Sequence, residues 1–296
     1  MKFLTTITCF LIATSAFAQK TYLLKQAFPV GKKYVYTINS DLIISQKADG
    51  KESNYIQNVG TDYTFEITEA KALDKNIKVV YNRIKIKSAG MGNELILDSD
   101  TEEAGKPNPF AGLKNASFNM LISPTGSIKS VSGVDKMVND MVTKMTTDTA
   151  QIKAVKASLA KQFNAEVIKQ TMESALKIFP EKPVKIGDSW TISSKLNITM
   201  PIESTVTYTL KEVRGNVAIL SIKGNLLSKG DFESLGAKMQ TDLKGLNMGD
   251  AQVDLTTGMI LSSHTRLELY GKMKAAGAET DFELEGITKI TGKEIN

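Results

Sequence analysis

The sequence has almost no cysteine or histidine, and this scarcity excludes several kinds of chemistry. Its one cysteine is Cys9 and its one histidine is His264. A single chain with these residues cannot build a disulfide, a Cys-ligated zinc site or a multi-His metal site. A Ser-His-Asp site would have to use His264, and no nucleophile-elbow sequence accompanies that residue. We therefore predict no metal, no cofactor and no catalytic residue. A carboxylate pair assembled in space needs no local motif, so a hydrolase of that kind stays open as a further alternative.

Aromatic residues are also few, and the basic residues form no stripe. Aromatic side chains make up 7% of the chain, and lysines alternate with acidic residues throughout. Proteins that bind nucleic acid usually carry clustered basic side chains, often with interleaved aromatics. We therefore expect no nucleic acid partner, and the low aromatic content also argues against a sugar-binding platform. His264 alternates with Leu267 and Leu269 and shares parity with Arg266, which predicts that His264 faces solvent.

The first eighteen residues have the pattern of a secretory signal peptide. Lys2 precedes an apolar run from Phe3 to Ala13, and Ala16-Phe17-Ala18 is a small-x-small cleavage sequence. Cleavage after Ala18 would remove Cys9 and give an exported protein, either periplasmic or secreted. No later apolar run reaches the length of a membrane span, so we expect no transmembrane segment in the mature chain.

The segment from Val134 to Phe179 is the only long stretch with a helical period. Its first apolar residues recur at intervals of three and four, as on one face of a helix: Val134, Met137, Val138, Met141, Val142 and Met145. A second apolar run extends from Ile152 to Leu176, and Pro180 ends it because proline cannot continue a helix. On both sides of this segment the apolar residues alternate as they do in strands.

We therefore predict an α+β fold, mostly antiparallel β, with two similar β-rich lobes joined by a helical segment. Each lobe is a candidate half-barrel. The predicted division is a signal peptide at 1–18, a first lobe at 19–133, a helical connector at 134–179 and a second lobe at 180–296. Within the second lobe, residues 224–249 are expected to form a short helix or an irregular strand. In the first lobe, the acidic stretch from Asp98 to Glu103 is expected to be a solvated loop rather than a calcium site.

The two lobes resemble each other at three places in the same order. Val30-Gly31-Lys32-Lys33-Tyr34 is similar to Ile186-Gly187-Asp188-Ser189-Trp190. Glu66 to Ile77 is similar to Tyr208 to Val217. Ile122-Ser123-Pro124-Thr125-Gly126-Ser127-Ile128 is similar to Leu255-Thr256-Thr257-Gly258-Met259-Ile260. Ordered matches of this kind predict a duplicated β module, in which Tyr34 and Trp190 are matching core anchors. The alternative is that alternating strands with glycine turns resemble one another in any case.

Two of these stretches also carry a family resemblance. Phe-Pro-x-x-Pro-Val-Lys-x-Gly-Asp-x-Trp at 179–190 and Ser-Pro-x-Gly-x-Ile at 123–128 resemble an exported, uncharacterised protein family of Bacteroidota. The resemblance extends over nearly the whole mature chain. It implies an envelope or secreted location, and it implies no activity, cofactor or site residue. The architecture is also similar, more weakly, to bacterial half-barrel carriers of lipids or lipoproteins, although a shared fold does not fix a function.

The function that these observations favour is non-enzymatic binding of an apolar ligand such as a lipid in the cell envelope. Methionine is flexible and adapts to irregular apolar shapes. The predicted apolar lining of the site is Met137, Met141, Met145 and Phe163. The alternative is that these residues fill a core, and that the protein is a structural or protein-interaction component of the envelope with no small-molecule ligand. The first hypothesis implies a lipid as partner and the second an envelope protein.

Overall fold

The computed structural model describes residues 20–101, 108, 110–145, 149–197, 200–234, 237–275 and 277–295. The predicted signal peptide lies outside these residues. The strands are β1 (Lys33–Ala48), β2 (Lys51–Lys71), β3 (Asp74–Gly90), β4 (Asn93–Asp98), β5 (Ser117–Ile122), β6 (Ile128–Ser132), β7 (Ser189–Asn197), β8 (Pro201–Arg214), β9 (Val217–Ser234), β10 (Ala237–Asp254), β11 (Ile260–Ala275) and β12 (Ala278–Ile295). The helices are α1 (Val134–Met145), α2 (Thr149–Gln162) and α3 (Ala165–Leu176), and Ala111–Leu113 forms one 3₁₀ turn.

The strands of both halves belong to one antiparallel sheet. Its order is β6-β5-β3-β2-β1-β12-β11-β10-β9-β8-β7, and β4 pairs with β3 beside this path. The last strand, β12, joins the halves because it pairs with β1 on one side and with β11 on the other. The predicted fold class, mostly antiparallel β with a helical segment, is confirmed. The two β-rich halves share a single sheet, and the division of the chain at 133 and 180 stays a prediction.

One face of this sheet is apolar and closes around a core. We call it the inner face; on β1 it carries Tyr34, Tyr36 and Ile38, and the partners of these residues lie on the same side because paired residues in antiparallel strands share a face. The main core contains Val79 of β3 and Leu220 of β9, which lie on opposite sides of β12 in the sheet order. Strands so far apart can meet only if the sheet curls, so the inner face is concave.

The helices pack where the curled sheet ends. Helix α1 buries Val138 and Met141 in the main core, as its spacing predicts. Helix α3 packs against both edge strands, β6 and β7. The second predicted helical run is two helices rather than one, because Asn164 begins a new helix: its Oδ1 accepts a hydrogen bond from the Val167 N–H at 2.9 Å. Helix α3 ends at Leu176, before Pro180.

Five strands of each half are paired in matching register near the starts of β1 and β7, and one further shift, between Asp62 and Tyr63, occurs only in the first half. β1 and β2 pair Tyr34 with Phe65, and β7 and β8 pair Trp190 with Tyr208 in the corresponding place. Corresponding register shifts occur after Ile67 in the first half and after Leu210 in the second. Further shifts lie between β5 and β6 and between β10 and β11. The strands β1, β2, β3, β5 and β6 therefore correspond to β7, β8, β9, β10 and β11, as a duplicated module requires.

The turns that precede β1 and β7 also match. The Gly31 N–H donates to the Ile67 carbonyl, and the Gly187 N–H donates to the Leu210 carbonyl, at 2.8 Å in both cases. Both glycines have positive φ values, 85° and 96°, which explains why glycine recurs at this position. The sequence matches at these glycines therefore correspond to equivalent backbone positions.

Inner-face glycines let neighbouring strands of the second half approach closely. A Cβ atom on Gly245 would overlap the Glu268 carbonyl oxygen, and one on Gly249 would overlap the His264 carbonyl oxygen. Backbones can approach this closely only where the side chain is absent. These strands and β12 also hold a small second core, whose buried members are Leu243, Leu269, Met273 and Phe282.

Of the two structures expected at 224–249, the short helix is wrong and the strand is confirmed. The described residues of this stretch, 224–234 and 237–249, belong to β9 and β10, two long paired strands. Phe232, Met239 and Leu243 are spaced as on a helix because the inner positions are even-numbered on β9 and odd-numbered on β10. Phe232 and Met239 are direct partners across the hairpin, so both lie on the inner face although one position is even-numbered and the other odd-numbered.

Candidate functional site

The predicted methionine lining lies in the main core or at its margin. Met137 and Met141 are fully buried there, and Phe163 is half-buried against the same core. Met145, at the end of α1, is also half-buried. The two central methionines are thus packed among protein side chains, as in the core-filling alternative. Their role as a ligand lining stays a prediction.

A different apolar surface remains half-exposed on the inner face of the first half. We call it the concave strip; its members are Leu42, Val59, Ile86 and Leu97, one from each of β1 to β4. Val59 pairs with Ile86, and Ile86 pairs with Leu97. None of these residues belongs to the main core, to the second core, or to the apolar side chains packed against either. The strip therefore presents aliphatic surface to solvent from a concave face.

The inner face around the concave strip is uncharged. Between Tyr34 and Gln46 the inner positions of β1 carry only tyrosine, isoleucine, leucine, serine and glutamine. The inner positions of the strands beside it, from 55 to 67 on β2 and from 282 to 292 on β12, likewise carry no charged side chain. The polar groups near the strip are neutral, such as the Ser40 and Thr288 hydroxyls, whose oxygens are 2.9 Å apart. Lysine and acidic side chains alternate onto the outer face.

An ion pair between the Arg83 side chain, which is 41% exposed, and the buried Asp98 carboxylate fixes β4, which carries one end of the strip. The Arg83 guanidinium donates two hydrogen bonds to the Asp98 carboxylate, at 3.0 and 2.6 Å. These bonds, with a smaller contribution from the Lys85 charge, lower the pKa of Asp98 to about 2. The Ser99 hydroxyl, itself buried, accepts a hydrogen bond from the Ile84 N–H.

The prediction of a solvated loop from Asp98 to Glu103 is therefore wrong at its start. Asp98 is the last residue of β4 and its side chain is only 6% exposed, because β4 continues to pair with β3 as far as Lys85. Glu102 and Glu103 lie outside the described residues. No group of three or more His, Cys, Asp or Glu side chains in the described part of the chain is arranged to hold a metal ion.

Buried tyrosines form an aromatic row across the first half. The ring centroids of Tyr36 and Phe65 are 4.9 Å apart, as are those of Tyr63 and Tyr81, and Phe118 continues the row at 6.1 Å from Tyr81. Burial raises the pKa of Tyr63 to about 12 and raises those of Tyr36 and Tyr81 above the usual range. The burial of these rings and their contacts with one another fit a packing role.

The lone histidine lies on the outer face. His264 is exposed, and its neighbours across β11 are Asp250 on β10 and Lys289 on β12. The prediction that His264 faces solvent is confirmed. The predicted core anchors differ in depth: Tyr34 is fully buried, whereas Trp190 is half-buried, stacks on Tyr208 with centroids 5.9 Å apart and donates from Nε1 to the Ile178 carbonyl at 2.9 Å.

Sequence reasoning missed the concave strip because its residues alternate in the same way as core residues do. Leu42, Val59 and Ile86 have the strand parity of Tyr36, Tyr63 and Tyr81, which are buried. Alternation shows which face a side chain takes, and whether that face is filled depends on the curl of the sheet. The sequence contains one relevant difference: the inner positions of the first half carry fewer glycines than those of the second half.

Comparison with protein families assigns the chain without assigning a function. A model for a family of unknown function, DUF6263, matches residues 73–260, which is more than half of the chain. The protein therefore belongs to this family. Comparison with curated proteins gives no match. Among the described helices, none is long and apolar enough to cross a membrane.

Solved structures with similarity to this chain include bacterial outer membrane proteins. An outer membrane channel from Pseudomonas putida F1 is 8% identical, with a TM-score of 0.28 over 90% of this chain and 97% of that one. OccK7 (OpdD) from Pseudomonas aeruginosa is 6% identical, with a TM-score of 0.25 over 90% and 100%. The translocator domain of the autotransporter NalP from Neisseria meningitidis is 8% identical, with a TM-score of 0.19 over 87% and 88%. Scores this low carry no argument about this protein.

Proposed function

We propose that this protein is a non-enzymatic binding protein that carries or senses an apolar ligand, such as a lipid acyl chain, on the concave face of its sheet. The observation that supports this proposal is the concave strip, Leu42, Val59, Ile86 and Leu97, half-exposed on an uncharged surface. Covering apolar surface stabilises a complex by about 25 cal/mol per Å². A curved aliphatic surface therefore favours a long apolar ligand over a small polar one.

The neutral surroundings of the strip narrow the class of ligand. A charged headgroup on the concave face would lose its water without gaining a partner of opposite charge there, which is unfavourable. Serine, threonine and glutamine side chains such as Ser40, Thr288 and Gln57 lie on the same face and offer neutral hydrogen bonds. The ligand we propose has an apolar chain on this face and any charged group outside it.

The absence of charge also bears on catalysis. General acid–base chemistry needs a titratable group within reach of the substrate, and the described inner positions around the strip carry no acidic, basic or histidine side chain. This arrangement supports a binding role, and the prediction that the protein is not an enzyme remains part of the proposal.

The proposed location is the cell envelope or the exterior. It is supported by the signal-peptide pattern of residues 1–18 and by the resemblance to exported proteins of Bacteroidota. Sequencing the N-terminus of the protein from its host tests this part directly. A mature chain beginning at Gln19 is expected, and an intact Met1 in the major cellular form would contradict export.

The second candidate function is a structural or interaction component of the envelope. The full burial of Met137 and Met141 favours it, because the helical segment then serves only as core. The two candidates differ at the concave strip: a ligand should occupy it in the first case and only water in the second.

A titration with a fluorescent fatty acid separates these candidates. Val59→Lys places a charge in the strip, and Ile56→Lys places the same charge on the outer face of the same strand, where Ile56 is already exposed. We expect the Val59 variant to bind the probe at least about tenfold more weakly, because the lysine must be desolvated, and the Ile56 variant to bind like the natural protein. Equal affinity in all three proteins, or no binding by any of them, would contradict the proposed function. Thermal melts of both variants check that each is folded.

A further inference from the structure

Strand β7 has an unpaired edge. The Leu210 N–H donates to the Asp188 carbonyl, so the even-numbered residues of β7 and β8 exchange hydrogen bonds. The N–H and C=O groups of Thr191, Ser193 and Lys195 therefore point away from β8. None of them has a hydrogen-bond partner among the described residues. Helix α3 reaches this edge at its far end, where the Gln170 side chain accepts from the Asn197 N–H at 2.9 Å.

A groove runs along the unpaired edge. Its volume is about 650 Å³, and it includes residues 189–193 of β7 on one side. The opposite side is formed by the chain between α3 and β7 and by the turn between β5 and β6, with Lys182, Thr125 and Ser127. Phe179, Trp190 and Ile192 supply apolar surface inside it. The groove thus offers backbone hydrogen bonds beside apolar contacts, which is the combination that an extended peptide uses.

The internal repeat shows what the corresponding position holds in the other half. β7 corresponds to β1, because Trp190 pairs with Tyr208 as Tyr34 pairs with Phe65. On β1 the edge away from β2 is covered by β12, which pairs with Lys33–Lys47. On β7 the equivalent edge has no strand in the described structure. Both halves therefore have this strand position, and in the described structure a strand lies beside β1 but none lies at the equivalent edge of β7.

We propose that an extended segment of another polypeptide adds to β7 as a further strand, antiparallel to it, in this groove. The segment pairs with the main-chain groups of Thr191 and Ser193 as β12 pairs with β1. Its inward side chains are uncharged, since they meet Trp190 and Ile192, and the residue opposite Ile192 is small, as Gly292 is opposite Tyr36. Its outward side chains are polar, like Lys289 and Thr291 of β12.

The shape of the groove favours such a segment over a second folded copy of this chain. The groove is lined by β7 on one side and by the chain between α3 and β7 on the other. A second copy would have to bring its own β7 into the groove together with the chain that forms the other side. An isolated extended segment would bring no such additional chain into the groove.

The test uses a synthetic peptide of residues 286–295, the part of β12 that pairs with the first ten residues of β1. By the equivalence of β1 and β7, this peptide should bind saturably to the intact protein, as measured by fluorescence anisotropy. Ser193→Pro removes one edge donor without touching the ladder to β8, and we expect it to weaken binding by about tenfold. Ser193→Ala removes the hydroxyl and keeps the N–H, so it should bind the peptide like the natural protein.

Three outcomes would overturn the proposal. Failure of the natural protein to bind the peptide would show that the edge does not accept a strand. Equal binding by Ser193→Pro and Ser193→Ala, with both variants folded by circular dichroism, would place the peptide elsewhere. A concentration-dependent dimer that Ser193→Pro abolishes, without peptide binding, would assign the edge to a second copy. Fatty acid binding at the concave strip is measured separately. The strand-addition proposal can therefore fail while the proposed function holds, and the reverse.

Discussion

The two halves of the protein share a five-strand module but finish it differently. In the second half, inner-face glycines such as Gly245 and Gly249 let β10 and β11 approach closely, and a small core closes around Leu243 and Phe282. In the first half, the concave strip stays half-exposed and the short strand β4 is added beside it. The duplicated module thus provides the scaffold, and the unclosed half provides the candidate binding surface.

The largest expected effect concerns the glycines of the closed half. Gly245→Ala places a Cβ against the Glu268 carbonyl oxygen, so the strands must separate. We expect a loss of at least about 3 kcal/mol in the free energy of unfolding, measured in urea. Gly60→Ala, on the outer face of the first half, would meet only the Asn39 side chain at 3.1 Å and should cost less than about 1 kcal/mol. Equal losses would mean that close strand approach does not distinguish the halves.

The second prediction compares matched leucines. Leu243→Ala removes a fully buried side chain and should destabilise the protein by about 2 to 5 kcal/mol. Leu42→Ala removes a half-exposed one and should cost about 1 kcal/mol. Unfolding of both variants without added lipid measures the difference. A loss at Leu42 as large as that at Leu243 would show that the concave strip is already filled by protein.

The third prediction is the pH dependence of the Arg83–Asp98 pair, which fixes β4 in the first half. The pKa of Asp98 is lowered to about 2 in the folded protein, against about 3.9 in an unfolded chain. The pair therefore contributes stability that is fully present above about pH 4 and is lost as the pH falls toward 2. Asp98→Asn should cost about 2 kcal/mol at pH 7 and much less near pH 2. A cost that does not change between these pH values would contradict an ionic role.

The smallest effect concerns the anchors of the repeat. Trp190→Phe removes the hydrogen bond to the Ile178 carbonyl and should cost about 1 kcal/mol. Thr191→Val, on the exposed outer face next to it, loses only a hydroxyl contact with Thr207 and should change stability by less than about 0.5 kcal/mol. Thermal melts of the two variants measure both values. If Trp190→Phe is as mild as Thr191→Val, the indole does not attach β7 to the chain before it.

Much of the module could be predicted from local chemistry. The matches at Gly31 and Gly187 correspond to one turn with positive φ, and the alternation of apolar residues gave the inner face of the strands correctly. The helix spacing of Val134 to Met145 also corresponds to α1. These features depend on residues close together in the sequence.

The parts that could not be predicted depend on contacts between distant strands. The pairing of β12 with β1 joins residues at opposite ends of the chain, and no local pattern specifies it. The exposure of Val59 and Ile86 depends on how far the sheet curls, and strand alternation does not specify this. The helix spacing at 134–145 identified the helix face that carries the buried methionines. Periodicity alone cannot distinguish the lining of a site from the filling of a core.

Native mass spectrometry of the mature protein purified from its own host, followed by organic extraction, shows whether the protein carries an apolar ligand. If the first half binds an apolar ligand on its concave face, a reproducible co-purifying mass of lipid size should appear, and Val59→Lys should lose it while Ile56→Lys keeps it. A clean mass of the protein alone, together with no stabilisation by added lipids or fatty acids, would contradict the account.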